Sequence, residues 1–180
     1  MIHCETGVTH LRYHRWATGQ VLEESIAQPA ELLVKDFKVS FGSIYGTLVH
    51  LYQADAIWLD RLHNRPTGSL ADYPAPGCTF ELRDAWFALQ DQMIDFAGGL
   101  TQEGWDREIS YKTLAGISYQ TPIWQMILHI VNHGTHHRGQ ITSMLRQLGI
   151  KPLNLDLIGF YRSNPTTTIH STGAPAASRP

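Results

Sequence analysis

Residues 121–149, TPIWQMILHIVNHGTHHRGQITSMLRQLG, decide the fold class. At about 100° per residue, Ile123, Ile127, Ile130, Gly134, Ile141, Leu145 and Leu148 fall on one stripe of a single helix. Pro122 suits the first helical position behind a capping Thr121, and Gly149 offers a left-handed stop. An apolar stripe this long must be covered by other elements. The chain supplies three more helical segments, over residues 9–27, 43–63 and 80–97. Ser43 is a plausible N-cap, and Pro29, Asn64-Arg65-Pro66 and Gly98-Gly99 act as breakers. The expected fold is all-α, an up-down-type four-helix bundle.

The connections differ in kind. Residues 65–79 carry Pro66, Pro74 and Pro76 and read as an irregular loop. Residues 108–120 are rich in Ile, Tyr and Thr around Ala115-Gly116, which predicts a small β-hairpin before the last helix. From about Ser163 the chain is small, polar and proline-bearing. One domain is therefore expected over residues 1–163, followed by a flexible tail over 164–180.

Composition narrows the function classes. Lys and Arg number 14 against 16 Asp and Glu, a net charge of -2 without a basic stripe, which argues against a nucleic-acid partner. A hydrophobic fraction of 43% with 5 Trp, 7 Tyr and 6 Phe supports a real core. No apolar run approaches the roughly 20 residues of a membrane span. The opening MIHCETGVTH lacks the basic start and apolar stretch of a signal peptide. Cys4 and Cys78 form no CxxC pair, so a reducing, cytoplasmic setting is expected.

Histidine is the unusual residue, with 10 in the chain and four between positions 129 and 137. On the helical wheel His133 and His137 sit one turn apart at the edge of the apolar stripe, whereas His129 and His136 fall near the solvent face. Imidazoles at i and i+4 project in parallel, and neutral imidazole is a common transition-metal ligand. Gly134 follows His133, so the metalloprotease pattern HExxH is absent. A bundle site needs at least a third ligand from a facing helix. His3, His10, His14, His50, His63 and His170, together with the acidic residues, are the candidates. His170 is in the tail and His63 at a helix end. His50 lies about 100° from the centre of the stripe formed by Ile44, Leu48, Leu51, Trp58 and Leu62, so periodicity favours it no more than His10 or His14.

Other polar residues have simpler readings. Arg138 falls on the apolar stripe and calls for a salt bridge, with Asp156 or an acid on the first helix as partner. Asp55 and Asp60 read as exposed charges, Asp60 beside Arg61, with a hydrogen bond to a ligand imidazole as the alternative. Trp58, Trp86, Trp105 and Trp124 read as core aromatics.

Two segments, FGSIYGTLVHLYQADAIWLDRL at 41–62 and HIVNHGTHHRGQI at 129–141, resemble the DinB family of small bacterial four-helix proteins. TLAGISYQTPIWQMILHIVNH at 113–133 and DLIGFYR at 156–162 extend the resemblance over about residues 8–162. It implies a divalent metal held by three histidines, here His50, His133 and His137. Three imidazoles accept zinc or nickel, and also iron or copper. The resemblance further implies a small-molecule substrate, a homodimer formed through helix surfaces, and metal-dependent chemistry. In relatives that chemistry is transfer of a low-molecular-weight thiol such as bacillithiol or mycothiol, or ring opening with glutathione; hydrolysis suits the same site. The metal would act as a Lewis acid toward a thiol or water. Cys4 and Cys78 match no family motif, so the thiol would arrive as a cofactor. The competing expectation is a non-catalytic, metal-stabilised protein of the damage-inducible stress response.

Overall fold

The computed structural model describes residues 3–151 and 153–163. The expected flexible tail at 164–180, with His170, lies outside them. Along the chain run α1 (Cys4–Ile26), α2 (Ala30–Leu33), α3 (Ile44–Leu62), a 3-10 turn (Leu70–Asp72), α4 (Thr79–Gly98), α5 (Gln102–Asp106), β1 (Glu108–Lys112), β2 (Ser118–Pro122), α6 (Ile123–Gln147) and α7 (Leu157–Ser163). The four long helices and the hairpin are those the periodicity predicts. The short helices α2, α5 and α7 span too few turns to show a period.

Ser43 caps α3 by accepting from the Gly46 amide, and Gly149 closes α6 at φ 82°. Thr121 does not cap α6. Strand β2 runs on through Pro122, and the Ile123 amide donates to the Arg107 carbonyl at 3.0 Å, so the hairpin leads directly into the helix. Helix α1 starts earlier than expected because α5 holds its first turn: the Cys4 amide donates to Gln102 Oε1 at 3.1 Å. Such a long-range contact leaves no local pattern in the sequence.

Helix α1 packs on α4 and α6, and α3 packs on the same two, so α1 and α3 occupy one diagonal. Cross-helix pairs fix the directions. Arg15 with Asp91 and Arg83 with Glu23 make α1 and α4 antiparallel. Tyr52 with Trp86 and His63 with Phe96 make α3 and α4 parallel. His50 with His133 and Trp58 with His129 make α3 and α6 antiparallel. The bundle is therefore up-down-down-up. A parallel α3–α4 pair needs a long return, which residues 63–78 provide. Gln53 pins that loop by donating to the Leu70 and Tyr73 carbonyls at 3.1 and 3.0 Å, and Tyr45 by donating to the Pro76 carbonyl at 2.6 Å.

The core is continuous between the four helices, with Leu11 and Leu22, Leu48 and Leu51, Leu82 and Trp86, and Ile127 and Ile141 buried. Trp86 and Trp105 are core residues as expected, but Trp58 and Trp124 only pack against its edge. Both cysteines are free thiols. No described helix is long and apolar enough to cross a membrane.

Candidate metal centre

Antiparallel packing of α3 on α6 brings His50 against the His133–His137 ladder. His133 Nε2 lies 3.3 Å from His50 Nε2 and 3.1 Å from His137 Nε2. Among the described residues this is the one cluster of three potential ligand side chains. Three ring nitrogens aimed at one point repel one another unless a cation or shared protons lie between them. The two spacings to His133 are close to those an ion imposes, since bonds of 2.0–2.1 Å to a tetrahedral zinc set neighbouring nitrogens about 3.3–3.4 Å apart, and all three ligand atoms lie within 4.8 Å of one another. Burial and the neighbouring His137 push the His50 pKa down to about 4. Burial, then His137, His50 and His129, take His133 down to about 4 as well. Burial also lowers His137, against a hydrogen bond donated to Gln140 that raises it. The rings are thus neutral with free lone pairs at neutral pH, which is the ligand form of imidazole. His50 and His133 are half-buried, so the cluster is not sealed inside the core.

Neighbouring groups hold the rings in place. Gln140 Oε1 accepts from His137 Nδ1 at 2.8 Å, which leaves the His137 Nε2 lone pair facing the cluster. The Gln140 amide nitrogen donates in turn to His136 Nε2 at 3.2 Å. Phe41 stacks on His50 with centroids 3.8 Å apart and meets His137 edge-on at 5.4 Å. The turn before α3 delivers Phe41, closed by the Phe37 amide donating to the Gly42 carbonyl at 2.7 Å. Gly46 makes that approach possible, because a Cβ there would lie 2.2 Å from the Phe41 carbonyl oxygen. His129 and His136 are exposed, as the wheel predicts, yet they flank the triad. His129 stacks on His133 at 5.7 Å, and His136 meets His137 edge-on at 4.8 Å.

The other candidate third ligands lie elsewhere. His10 Nδ1 bonds the Thr6 carbonyl at 2.7 Å, His63 packs on Phe96, and His3 precedes α1. His14 belongs to a second buried polar centre that sequence reasoning missed. Its Nε2 donates to Asp55 Oδ2 at 2.9 Å, while its Nδ1 accepts from Arg138 Nη1 at 2.8 Å. Guanidinium can only donate, so the imidazole carries its proton on Nε2. Trp86 Nε1 and Gln90 Nε2 donate to the same Asp55 oxygen at 2.7 and 3.2 Å. Arg138 also donates to Thr135 Oγ1 at 3.1 Å.

Three expectations are corrected here. Asp55 is not an exposed charge but only 1% exposed, because position 55 lies a turn beyond Leu51 on the buried face of α3. Burial alone would raise its pKa; the His14 imidazole and the three hydrogen bonds outweigh it and hold the carboxyl below the usual range. Arg138 makes no direct salt bridge to Asp156 or to an acid on α1; its charge reaches Asp55 through His14. Asp60 pairs with Arg65 at 2.7 Å rather than with Arg61. A trace of the buried relay was present in the sequence: Gly134 and Arg138, one turn apart, both fall on an apolar stripe. A Cβ at Gly134 would lie 2.3 Å from His14 Cε1.

A four-helix bundle whose α3 and α6 bring three histidines to one point defines a class of helical proteins able to hold a metal ion. The model of the DinB family matches residues 3–170, and the chain belongs to that family. It is 26% identical over 144 residues to Protein DinB of Bacillus subtilis (strain 168), covering 76% of this chain and 83% of that protein. A crystal structure of a DinB-like protein from Bacillus cereus ATCC 10987 superposes with a TM-score of 0.65 at 19% identity, over 83% of this chain and 95% of that one. A DinB-family structure from Exiguobacterium sibiricum 255-15 superposes with a TM-score of 0.60 at 21% identity, over 87% and 99%. At these identities the two structures establish the fold alone.

Proposed function

We propose that the chain is a divalent-metal protein in which His50, His133 and His137 are the ligands, and that it catalyses transfer of a low-molecular-weight thiol or hydrolysis of a small substrate. The observation that carries this reading is the convergence of three neutral imidazoles, with His133 Nε2 3.3 and 3.1 Å from those of His50 and His137 and all three ligand atoms within 4.8 Å of one another. A metal held there would supply Lewis acidity, lowering the pKa of a coordinated thiol or water. The chain's own residues do the rest. Gln140 sets the His137 tautomer and aims its lone pair. Phe41 covers the His50 ring and keeps water from that side. The half-buried faces of His50 and His133 leave an approach for substrate, which favours a catalytic centre over a closed structural one. Zinc and nickel suit three imidazoles, and iron or copper are the alternatives. A homodimer and a cytoplasmic setting belong to the same reading, supported by the family and by two free thiols.

The test is elemental mass spectrometry on untagged protein purified without chelating resin, with His50→Ala and His133→Ala in parallel. About one ion per chain, lost in both variants, is expected. Metal that survives both substitutions, or none above trace, overturns the ligand assignment. A thiol-transfer screen on loaded protein then separates catalysis from a metal-stabilised, non-catalytic role.

A further inference from the structure

Beside the triad, on the far side of Trp58, a cleft of about 750 Å³ opens between the end of α3, the start of the following loop and the hairpin. Three cations line it, Arg61, Arg65 and Lys112, and no carboxylate does. Arg65 is answered by Asp60, but Arg61 and Lys112 have no acidic partner among the described residues. Arg61 is the unusual one. Its residue is only 6% exposed, yet Nε is buried without an acceptor, and the guanidinium makes a single long bond, from Nη2 to the Lys112 carbonyl at 3.3 Å. Stacking against Trp58 at 4.5 Å and Tyr111 at 4.8 Å explains how Arg61 fastens the hairpin to the bundle. It does not explain a covered cation with a buried Nε–H that has no acceptor and with no counter-charge among the described residues, an arrangement that is costly unless an anion completes it. Tyr119 lines the same cleft with its ring half exposed.

We propose that this cleft binds a small organic oxyanion, its carboxylate or phosphate held by Arg61 and Lys112 and its flat body resting on Tyr119. The guanidinium fork suits a two-oxygen group, and the tyrosine face suits a ring. Its wall continues to the triad: Arg61 stacks on Trp58, Trp58 lies 4.7 Å from His129, and His129 stacks on His133. The anion site rests on Arg61, Lys112 and Tyr119 and stands whether or not the triad holds a metal.

Isothermal titration calorimetry at low salt tests it, with phenyl phosphate, benzoate and inorganic phosphate as probes. Saturable binding of an aryl anion is expected, with phenyl phosphate or benzoate preferred according to whether the site takes phosphate or carboxylate. Lys112→Glu, an exposed substitution that leaves the stack intact, should weaken it roughly tenfold or more, the worth of one charge-assisted hydrogen bond. Arg61→Met should abolish it. Tyr119→Ala should weaken phenyl phosphate several-fold and leave inorganic phosphate unchanged. Arg12→Glu, on α1 away from the cleft, should change nothing. Equal weakening by Arg12→Glu would show general charge attraction. Loss of binding in a folded His133→Ala variant would place the anion at the triad. Either result, unchanged binding in Lys112→Glu, or no saturation by any probe at millimolar concentration overturns the proposal.

Discussion

The buried relay from Asp55 through His14 to Arg138 makes a sharp prediction. In Asp55→Asn the side chain keeps its shape and loses its charge. One oxygen of the native carboxylate accepts from His14, Trp86 and Gln90, and a carbonyl oxygen in its place accepts them more weakly. Arg138, only 2% exposed, keeps its charge with no anion to balance it. Removing one partner of a buried ionic network costs about 3–5 kcal/mol. For a chain of this length each kcal/mol moves Tm by roughly 2–4 °C, so a fall of about 6–20 °C is expected. Thermal unfolding followed by circular dichroism on chelator-treated protein measures it without interference from metal. A double-mutant cycle with Arg138→Met isolates the coupling. The double variant leaves His14 between an uncharged amide and an apolar side chain and should recover roughly 1–3 kcal/mol of the summed single losses. A fall of less than about 3 °C in Asp55→Asn, or strict additivity in the cycle, would refute the claim that the two charges sense each other through His14.

Three further outcomes follow from the same geometry. Gly134→Ala gains about 1 kcal/mol of helix propensity but drives a methyl group into His14 and Arg138; a net loss of roughly 2–4 kcal/mol is expected, and a stabilised variant would contradict the close approach. Gln140→Leu removes the acceptor that orients His137 and should weaken metal binding about 10–100-fold while leaving the melting of chelated protein nearly unchanged; unaltered affinity in a competition titration would exclude that positioning role. In metal-free protein the lowered pKa values of His50 and His133 mean that, below pH 6.5, the unfolded chain takes up protons the folded triad refuses. Stability should therefore fall as pH falls from about 6.5 towards 4, and His50→Gln with His133→Gln should flatten that slope; a Tm that is level or rising through this window would show that the rings are not desolvated.

What was legible in the sequence followed from periodicity. The apolar stripe of α6, the cap at Ser43, the stop at Gly149 and the alternating 108–120 segment are local signals, and each formed the element it predicts. His133 and His137 were readable as a pair because four residues on a helix are one turn. His50 was not readable in that way. Its offset of about 100° from the centre of the α3 stripe puts it at a helix edge, where the seam with α6 lies, but only the packing of the two helices shows which edge that is. Asp55 was misread because a carboxylate is usually exposed. Phe41 was silent because its contact with His50 depends on a turn and on the absence of a Cβ at Gly46, and neither has a period.

The two polar centres divide helix α6 between them. His133 and His137 form one ladder facing α3, and Gly134 and Arg138 form a second, turned by about 100° and facing α1. An apolar stripe alone tolerates small rotations of a helix, since side chains can repack at little cost. A short bond from a buried guanidinium to His14, made across a glycine that leaves no room for a Cβ, does not. Rotating α6 enough to spread His133 from His50 would break the Arg138–His14 bond or drive the helix backbone into the imidazole. The second ladder thus sets the azimuth at which the first meets His50, and it does so with residues that touch no ligand atom. On this account the relay has a functional consequence that stability measurements alone would miss. A substitution at Arg138 mild enough to leave the fold intact, such as Arg138→Lys, should still loosen the metal site. Retention of full metal affinity in a variant that melts several degrees lower would separate the two centres.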